Sequence, residues 1–196
     1  EHPQLESIGA CRICLVEVEK QRTLQPACTF KISEGMVVHT ESEKVVESRK
    51  FVLELLFSER NHYCMYCQMS GDCELQNLGY RYGLDSWQYP RPYTPLSVDA
   101  TRQHFVMDHN RCILCTRCVR VCDEIQGRNS IYYAYRGLKT KISAVLDRPV
   151  GQSNCESCGQ CVDKCPVGAL YPKANLRYGL PTAETVTICP YCGVGC

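Results

Sequence analysis

The chain has 196 residues, 17 of them Cys, and a formal net charge of +1 with both signs mixed along its length. That balance offers no basic stripe for a nucleic acid, and no run approaches the ~18 apolar residues of a membrane span. The Cys count is odd, the Cys sit in tight triplets and quartets, and no secretory leader is visible, which speaks against a disulfide scaffold and for metal binding in a reducing cytoplasmic setting.

Cys11, Cys14 and Cys28 come first, after a start, Glu1-His2-Pro3, that carries no initiator Met. Residues 15–19 and 35–39 are β-branched and alternating, which predicts short strands. These three thiols are one short of the four that a [2Fe–2S] cluster takes. In the plant-type spacing C-x4-C-x2-C…C they would be the last three ligands. A Zn site or a trio of plain thiols is the alternative.

Residues 41–58 hold the best helical pattern, with Val45, Val46, Val52, Leu55 and Leu56 near helical spacing and Thr40 or Ser42 placed to cap it. Its expected role is packing between modules. His62, Cys64, Cys67 and Cys73 follow. C-x2-C-x5-C is one ligand short of a cubane, and the His62 imidazole is the candidate fourth. A neutral imidazole in place of a thiolate leaves a less negative cluster, and net charge tunes potential. A short helix over 72–82 is expected to close this site. Trp87, Tyr89, Pro90, Pro92, Tyr93 and Pro95 then predict an extended connector wrapped over a surface.

Two matched runs follow, Cys112, Cys115, Cys118, Cys122 and Cys155, Cys158, Cys161, Cys165. Each is C-x2-C-x2-C-x3-C, and Pro166 follows the second. This is the bacterial ferredoxin run, in which the fourth Cys of each half ligates the other half's [4Fe–4S] cluster. One cluster therefore takes Cys112, Cys115, Cys118 and Cys165, and the other takes Cys155, Cys158, Cys161 and Cys122. The runs hold more Cys than one tetrahedral Zn needs. A strand is expected over 104–108, a helix over 115–125 stopping at Gly127, and a hairpin from 130–136 and 140–146 around Gly137. The repeat fits a pseudo-twofold βαβ-type module. A last strand over 185–188 runs into Cys189, Cys192 and Cys196, three quarters of a further [4Fe–4S] site.

Several of these motifs resemble known families. The stretch around Cys11, Cys14 and Cys28 resembles the [2Fe–2S] domain of the 75 kDa subunit of NADH dehydrogenase, and [FeFe] hydrogenases and some formate dehydrogenases carry similar domains. The resemblance implies a first Cys ligand immediately before Glu1, so that the given sequence begins just after it. In the same family His-x3-C-x2-C-x5-C binds a His/Cys3 [4Fe–4S] cluster. Here His62 stands two residues before Cys64, and Arg60 holds the family's His position. The string Cys189-Pro190-Tyr191-Cys192-Gly193-Val194-Gly195-Cys196 resembles the opening of the catalytic domain of molybdenum or tungsten bis-pterin oxidoreductases, formate dehydrogenases in particular. That resemblance implies a fourth Cys and pterin-binding domains farther on. Five such sites need about 20 ligands. The 17 Cys and His62 leave two to be found outside the ends of the sequence.

The expected fold class is α+β, as tandem small iron–sulfur modules. They are a partial β-grasp [2Fe–2S] domain over 1–40, a His/Cys3 [4Fe–4S] domain and connector over 41–97, a two-[4Fe–4S] ferredoxin domain over 98–180, and the start of a pterin-oxidoreductase [4Fe–4S] domain over 181–196. The cofactors expected are one [2Fe–2S] and up to four [4Fe–4S] clusters, with Mo or W bis-pterin outside the sequence. No catalytic acid–base pair or nucleophile is visible, so this stretch carries electron transfer. The resemblance implies the relay of a cytoplasmic formate dehydrogenase that interconverts formate and CO2 and exchanges electrons with an NAD/flavin subunit, a ferredoxin or a hydrogenase in a multi-subunit complex. The alternatives are a 75 kDa-type subunit of an NADH dehydrogenase, an [FeFe] hydrogenase, and a free-standing polyferredoxin.

Overall fold

With so many thiols in so short a chain, little aliphatic mass remains for one large core. The fold, a computed structural model describing residues 3–90, 95–189, 193 and 194, divides its apolar side chains into two clusters.

The chain opens with β1 (Leu15–Val18), which pairs antiparallel with β2 (Gln25–Pro26) on one side and β3 (Val38–His39) on the other. Alternation puts Val16 and Val18 inside, the period of a half-buried strand. The strand expected over 35–39 is shorter, because Gly35 has a φ of +72° and belongs to a turn.

Next comes α1 (Glu43–Glu59), with Ser42 at its N-cap position but no cap bond from the hydroxyl. The buried stripe is Val45, Arg49, Leu53 and Phe57, a step of four residues that keeps one helix face inward. Leu55, expected inward, is 42% exposed because it lies off that face. A buried guanidinium needs partners. Arg49 has them, donating to the Leu15 carbonyl at 2.9 Å, the Tyr82 hydroxyl at 2.8 Å and the Glu41 carboxylate at 3.1 Å. These bonds fasten α1 to β1 and to the end of α2 (Glu74–Arg81). Of the expected connector, Trp87 stacks on Phe57 with 5.8 Å between centroids, and Tyr89 meets Phe51 edge-on at 5.9 Å. Pro92 and Tyr93 lie outside the described residues.

The second half has β4 (Val98–Asp99) and β5 (Phe105–Asp108), then α3 (Arg117–Arg120), which widens into a π turn over Val121–Ile125. A hairpin of β6 (Tyr132–Ala134) and β7 (Lys141–Ser143) follows, with Tyr133 opposite Ile142. Then come α4 (Gln160–Asp163), β8 (Leu170–Pro172) and α5 (Ala174–Tyr178). β5 lies between β4 and β8, antiparallel to both, and pairs Met107 with Leu170. The helix expected over 115–125 starts at Arg117 and runs to Ile125, and Gly127, whose φ is +60°, lies just past its end.

The strand expected over 185–188 does not form. Residues 181–189 are irregular, and Val186 and Ile188 are exposed. Apolar alternation makes a strand only where a neighbour supplies the ladder, and among the described residues none does. Among those residues, too, no helix is long and apolar enough to cross a membrane.

The first apolar cluster joins Leu53 and Phe57 of α1, Leu75, Tyr82, Val167 and Ala169. The second is Phe105, Met107, Ile131, Ile142, Val150 and Leu170. Cys112 and Cys165 pack against both, so thiols sit where another fold would place aliphatic side chains.

Candidate metal centres

The two ferredoxin-type runs fold alike. In the first, Leu114 and Thr116 take left-handed backbone, with φ of 53° and 71°; in the second, Ser157 and Gly159 do, with φ of 59° and 82°. These are matching positions, and α3 and α4 begin at the next residue of each run. The unusual turn aims amides at sulfur. The Leu114 N–H donates to Cys112 Sγ at 3.4 Å, and the Ser157 N–H donates to Cys155 Sγ at 3.4 Å. The Ser130 N–H does the same to Cys122 Sγ at 3.3 Å. Such bonds favour the thiolate and tune a bound cluster.

One cavity is lined by Cys112, Cys115, Cys118 and Cys165. A second is lined by Cys122, Cys155, Cys158 and Cys161. Each draws three thiols from one run and one from the other, the grouping into which the ferredoxin crossover sorts these eight residues. Burial pushes the Cys112 thiol up to about 11 and the Cys161 and Cys165 thiols up to about 12. Cys118 is raised well above its ordinary value by burial and then by Cys112 and Cys165. Walls that oppose free thiolates suit a bound cation that neutralises them, and such binding releases protons.

A third cavity brings together His62, Cys64, Cys67 and Cys73, with Arg111 and Gly168 on its wall. A 3-10 turn over Cys64–Tyr66 presents the first thiols, and Cys73 sits at the N-cap of α2. His62 is buried, its ring edge-on to Phe57 at 5.7 Å. Arg60 turns the other way, its guanidinium donating to the Thr140 carbonyl beside β7. The shortened His-to-Cys spacing thus coincides with an Arg that packs toward the hairpin and a His that faces the thiols. Burial raises the Cys64 and Cys73 thiols. The nearby Arg111 charge opposes this at Cys64, and the Gln76 and Leu75 amides of α2 oppose it at Cys73.

Cys11 and Cys28 line a fourth cavity, bounded across from them by Cys115, Thr116, Arg117 and Arg120. Cys28 is raised by burial and by a hydrogen bond with Cys14, with the Gly9 amide acting the other way. Arg120 donates to the Glu6 carbonyl at 2.7 Å. Arg117 grips both oxygens of Glu74 at 2.6 and 3.0 Å. Two arginines of α3 therefore tie the first and second modules to the third.

Among the described residues no three His, Cys, Asp or Glu side chains stand close enough to share one ion. The thiols instead surround volumes, an arrangement that suits clusters of several irons, each thiolate binding its own. Cys189 is half-buried in the irregular segment, while Cys192 and Cys196 lie outside the described residues. Sequence reasoning did not single out Arg111, Arg117 or Gly168. The available signals were an Arg directly before Cys112, an Arg inside the Cys115-x2-Cys118 spacing, and a Gly two residues past the Cys165-Pro166 pair.

Three family models match the chain. They are a 2Fe-2S iron-sulfur cluster binding domain over residues 1–43, the NADH-ubiquinone oxidoreductase-G iron-sulfur binding region over 49–86, and the ferredoxin-like domain of NADH-quinone oxidoreductase subunit 3 over 104–171. An NADH-quinone oxidoreductase subunit of Rhizobium meliloti is 38% identical over 98% of this chain and 23% of its own length. NADPH-Fe(3+) oxidoreductase subunit alpha of Geobacter sulfurreducens is 38% identical over 96% of this chain and 22% of its own length. The chain thus spans under a quarter of the length of these relatives. In the crystal structure of an NAD+-reducing [NiFe]-hydrogenase in the H2-reduced state, one chain superposes with a TM-score of 0.83 at 33% identity, covering 93% of this chain and 76% of that one. None of these three carries formate dehydrogenase in its name.

Proposed function

The chain belongs to the family of iron–sulfur regions found in NADH-quinone oxidoreductase subunits and their relatives, and on that premise we propose that it is an electron relay of a multi-subunit redox complex. Cys112, Cys115, Cys118 and Cys165 would hold one [4Fe–4S] cluster, Cys122, Cys155, Cys158 and Cys161 a second, and His62, Cys64, Cys67 and Cys73 a third. Cys11, Cys14 and Cys28 would contribute to a [2Fe–2S] cluster. When bound, such clusters exchange single electrons at potentials set by ligands, hydrogen bonds and burial.

The observation that carries this reading is the sharing of walls. Val167 borders both the first-run cavity and the His62 cavity. Cys115 and Thr116 border both the first-run cavity and that of Cys11 and Cys28. Met107 borders both ferredoxin-type cavities. The cavity of the first run therefore shares lining residues with each of the other three. The chain's part is to hold the thiols, keep water from the buried ones and aim amides at their sulfurs.

The test is pulsed EPR on the intact protein reduced anaerobically. One [4Fe–4S] signal is expected to show nitrogen hyperfine coupling from a directly bound imidazole, and His62→Cys is expected to remove that coupling while keeping the cluster. Absence of any nitrogen-coupled signal would sink the assignment of His62.

A second reading rests on the string from Cys189 to Cys196, which resembles pterin oxidoreductases. In it the same relay serves a formate dehydrogenase whose Mo or W site lies outside this sequence, and Cys189, Cys192 and Cys196 belong to a further [4Fe–4S] cluster. Formate-dependent dye reduction by the intact protein, with Mo or W bound, supports that reading. NAD(P)H-dependent reduction of the relay in its complex, without either metal, supports the NADH dehydrogenase-type reading.

A further inference from the structure

We propose that Arg111 and Asp108 together set the potential of the cluster held by His62, Cys64, Cys67 and Cys73, with opposite signs; this rests on the reading that a cluster occupies that cavity. Arg111 is the one formally charged side chain on the described wall of the cavity, where Phe57, Met69, Leu75 and Val167 supply apolar surface. Its guanidinium is fixed from three directions. Nη1 donates to the Tyr63 carbonyl at 3.2 Å, Nη2 donates to the Tyr66 carbonyl at 3.2 Å, and Nε donates to Asp108 Oδ2 at 3.3 Å.

Tyr63 and Tyr66 are the residues directly before Cys64 and Cys67. One side chain thus holds the carbonyls leading into two of the proposed ligands. Both charges are largely shielded from water, with side-chain exposures of 13% for Arg111 and 14% for Asp108, so solvent screens them less than a surface pair. Asp108 is itself held by the Asn110 backbone and side-chain N–H groups, each at 2.9 Å from Oδ1. The pair therefore presents a fixed dipole with its positive end at the cavity.

Reduction adds a negative charge to a cluster, so a nearby cation favours the reduced form and a nearby anion opposes it. Loss of the Arg111 charge also leaves Asp108 without its counter-ion. Arg111→Gln is therefore expected to lower the midpoint, and Asp108→Asn to raise it. Arg111→Lys keeps the charge but cannot reproduce the three-way grip, so it should lower the midpoint less than Gln does.

The experiment is an EPR-monitored redox titration of the intact protein, following the signal that Cys73→Ser abolishes. For Arg111→Gln we expect the ratio of reduced to oxidised cluster at the wild-type midpoint to fall about tenfold, or about 59 mV for one electron. In Arg111→Gln the first-run cluster should move less, because Arg111 does not line its cavity; Asp108 does, so Asp108→Asn should raise the first-run midpoint as well. An unchanged midpoint in Arg111→Gln, or shifts of the same sign in Arg111→Gln and Asp108→Asn, overturns the proposal. Loss of the signal in both Arg111→Gln and Arg111→Lys also overturns it, leaving Arg111 a structural clamp. If the Gln variant alone fails to assemble, the sign in Asp108→Asn decides. A wild-type protein with no Cys73-dependent signal fails at the earlier reading and takes this inference with it.

Discussion

Cys165→Ala is expected to remove or degrade the cluster of the first run and to spare the cluster of the run in which Cys165 itself lies. Cys165 lines the cavity of Cys112, Cys115 and Cys118 and does not line that of Cys155, Cys158 and Cys161. Its Sγ lies 3.0 Å from the carbonyl of Val167, a residue that also lines the His62 cavity. Cys122→Ala is the mirror experiment and should damage the second-run cluster. Iron content should fall by up to about four per protein in either variant. The EPR signals should identify which cluster is gone. Because the first-run cavity adjoins the other three, Cys165→Ala should also slow the spread of electrons among the surviving clusters, whereas Cys122→Ala should leave exchange between the first and second modules intact. Damage confined to the Cys155, Cys158 and Cys161 cluster in Cys165→Ala would contradict the grouping.

Gly168→Ala is expected to damage the His62-cavity cluster although it adds one carbon and removes no ligand. A Cβ built at Gly168 collides with Cys67 Sγ and falls 3.4 Å from Arg111 Cδ. Gly168 is not needed for its backbone conformation, since its φ is not in the left-handed region; it is needed for space. A free thiol can swing away from an added methyl at little cost. A sulfur bonded to iron cannot, so the strain falls on the cluster or on the backbone after Pro166, whose carbonyl accepts from the Glu74 N–H at 2.9 Å. Overpacking of this kind costs about 1–3 kcal/mol, and each kcal/mol lowers the thermal midpoint of a chain this size by about 2–4 °C. The expected result is a loss of most of the His62-cavity cluster on reconstitution, or a lowered midpoint in the loaded protein. The metal-free form should change little. Equal stability and a full signal in the loaded variant would show that Cys67 is free to move and is not a ligand.

Much of this architecture is legible from spacing, and the reasons are local. Alternation in residues 15–18 and the step of four in α1 are short-range patterns that burial enforces. The paired runs specify their own turns, since Leu114 and Ser157, and Thr116 and Gly159, adopt the same backbone. Spacing does not reveal which helix face turns inward when several are apolar, and so Leu55 is exposed while Leu53 is buried. Nor does it reveal whether a strand-like segment finds a partner, as residues 185–188 do not among the described residues. Module-to-module features are the least legible. Arg117 bridges to Glu74 across 43 residues of sequence, and Arg120 reaches the Glu6 carbonyl across 114. Gly168 matters because Cys67, from another module, lies against it. Such contacts depend on docking, which no local pattern encodes.

On this reading the cavities hold adjoining clusters that exchange electrons. A stepwise reductive titration of the intact, anaerobically purified protein, followed by low-temperature EPR with iron and zinc analysis, tests it most directly. One [2Fe–2S] signal and at least three [4Fe–4S] signals are expected. The first-run signal should broaden by magnetic coupling as each neighbour is reduced, and Cys165→Ala should remove that signal and leave the neighbours' signals narrow at full reduction. Zinc in place of iron, or [4Fe–4S] signals that stay magnetically independent at full reduction, would contradict it.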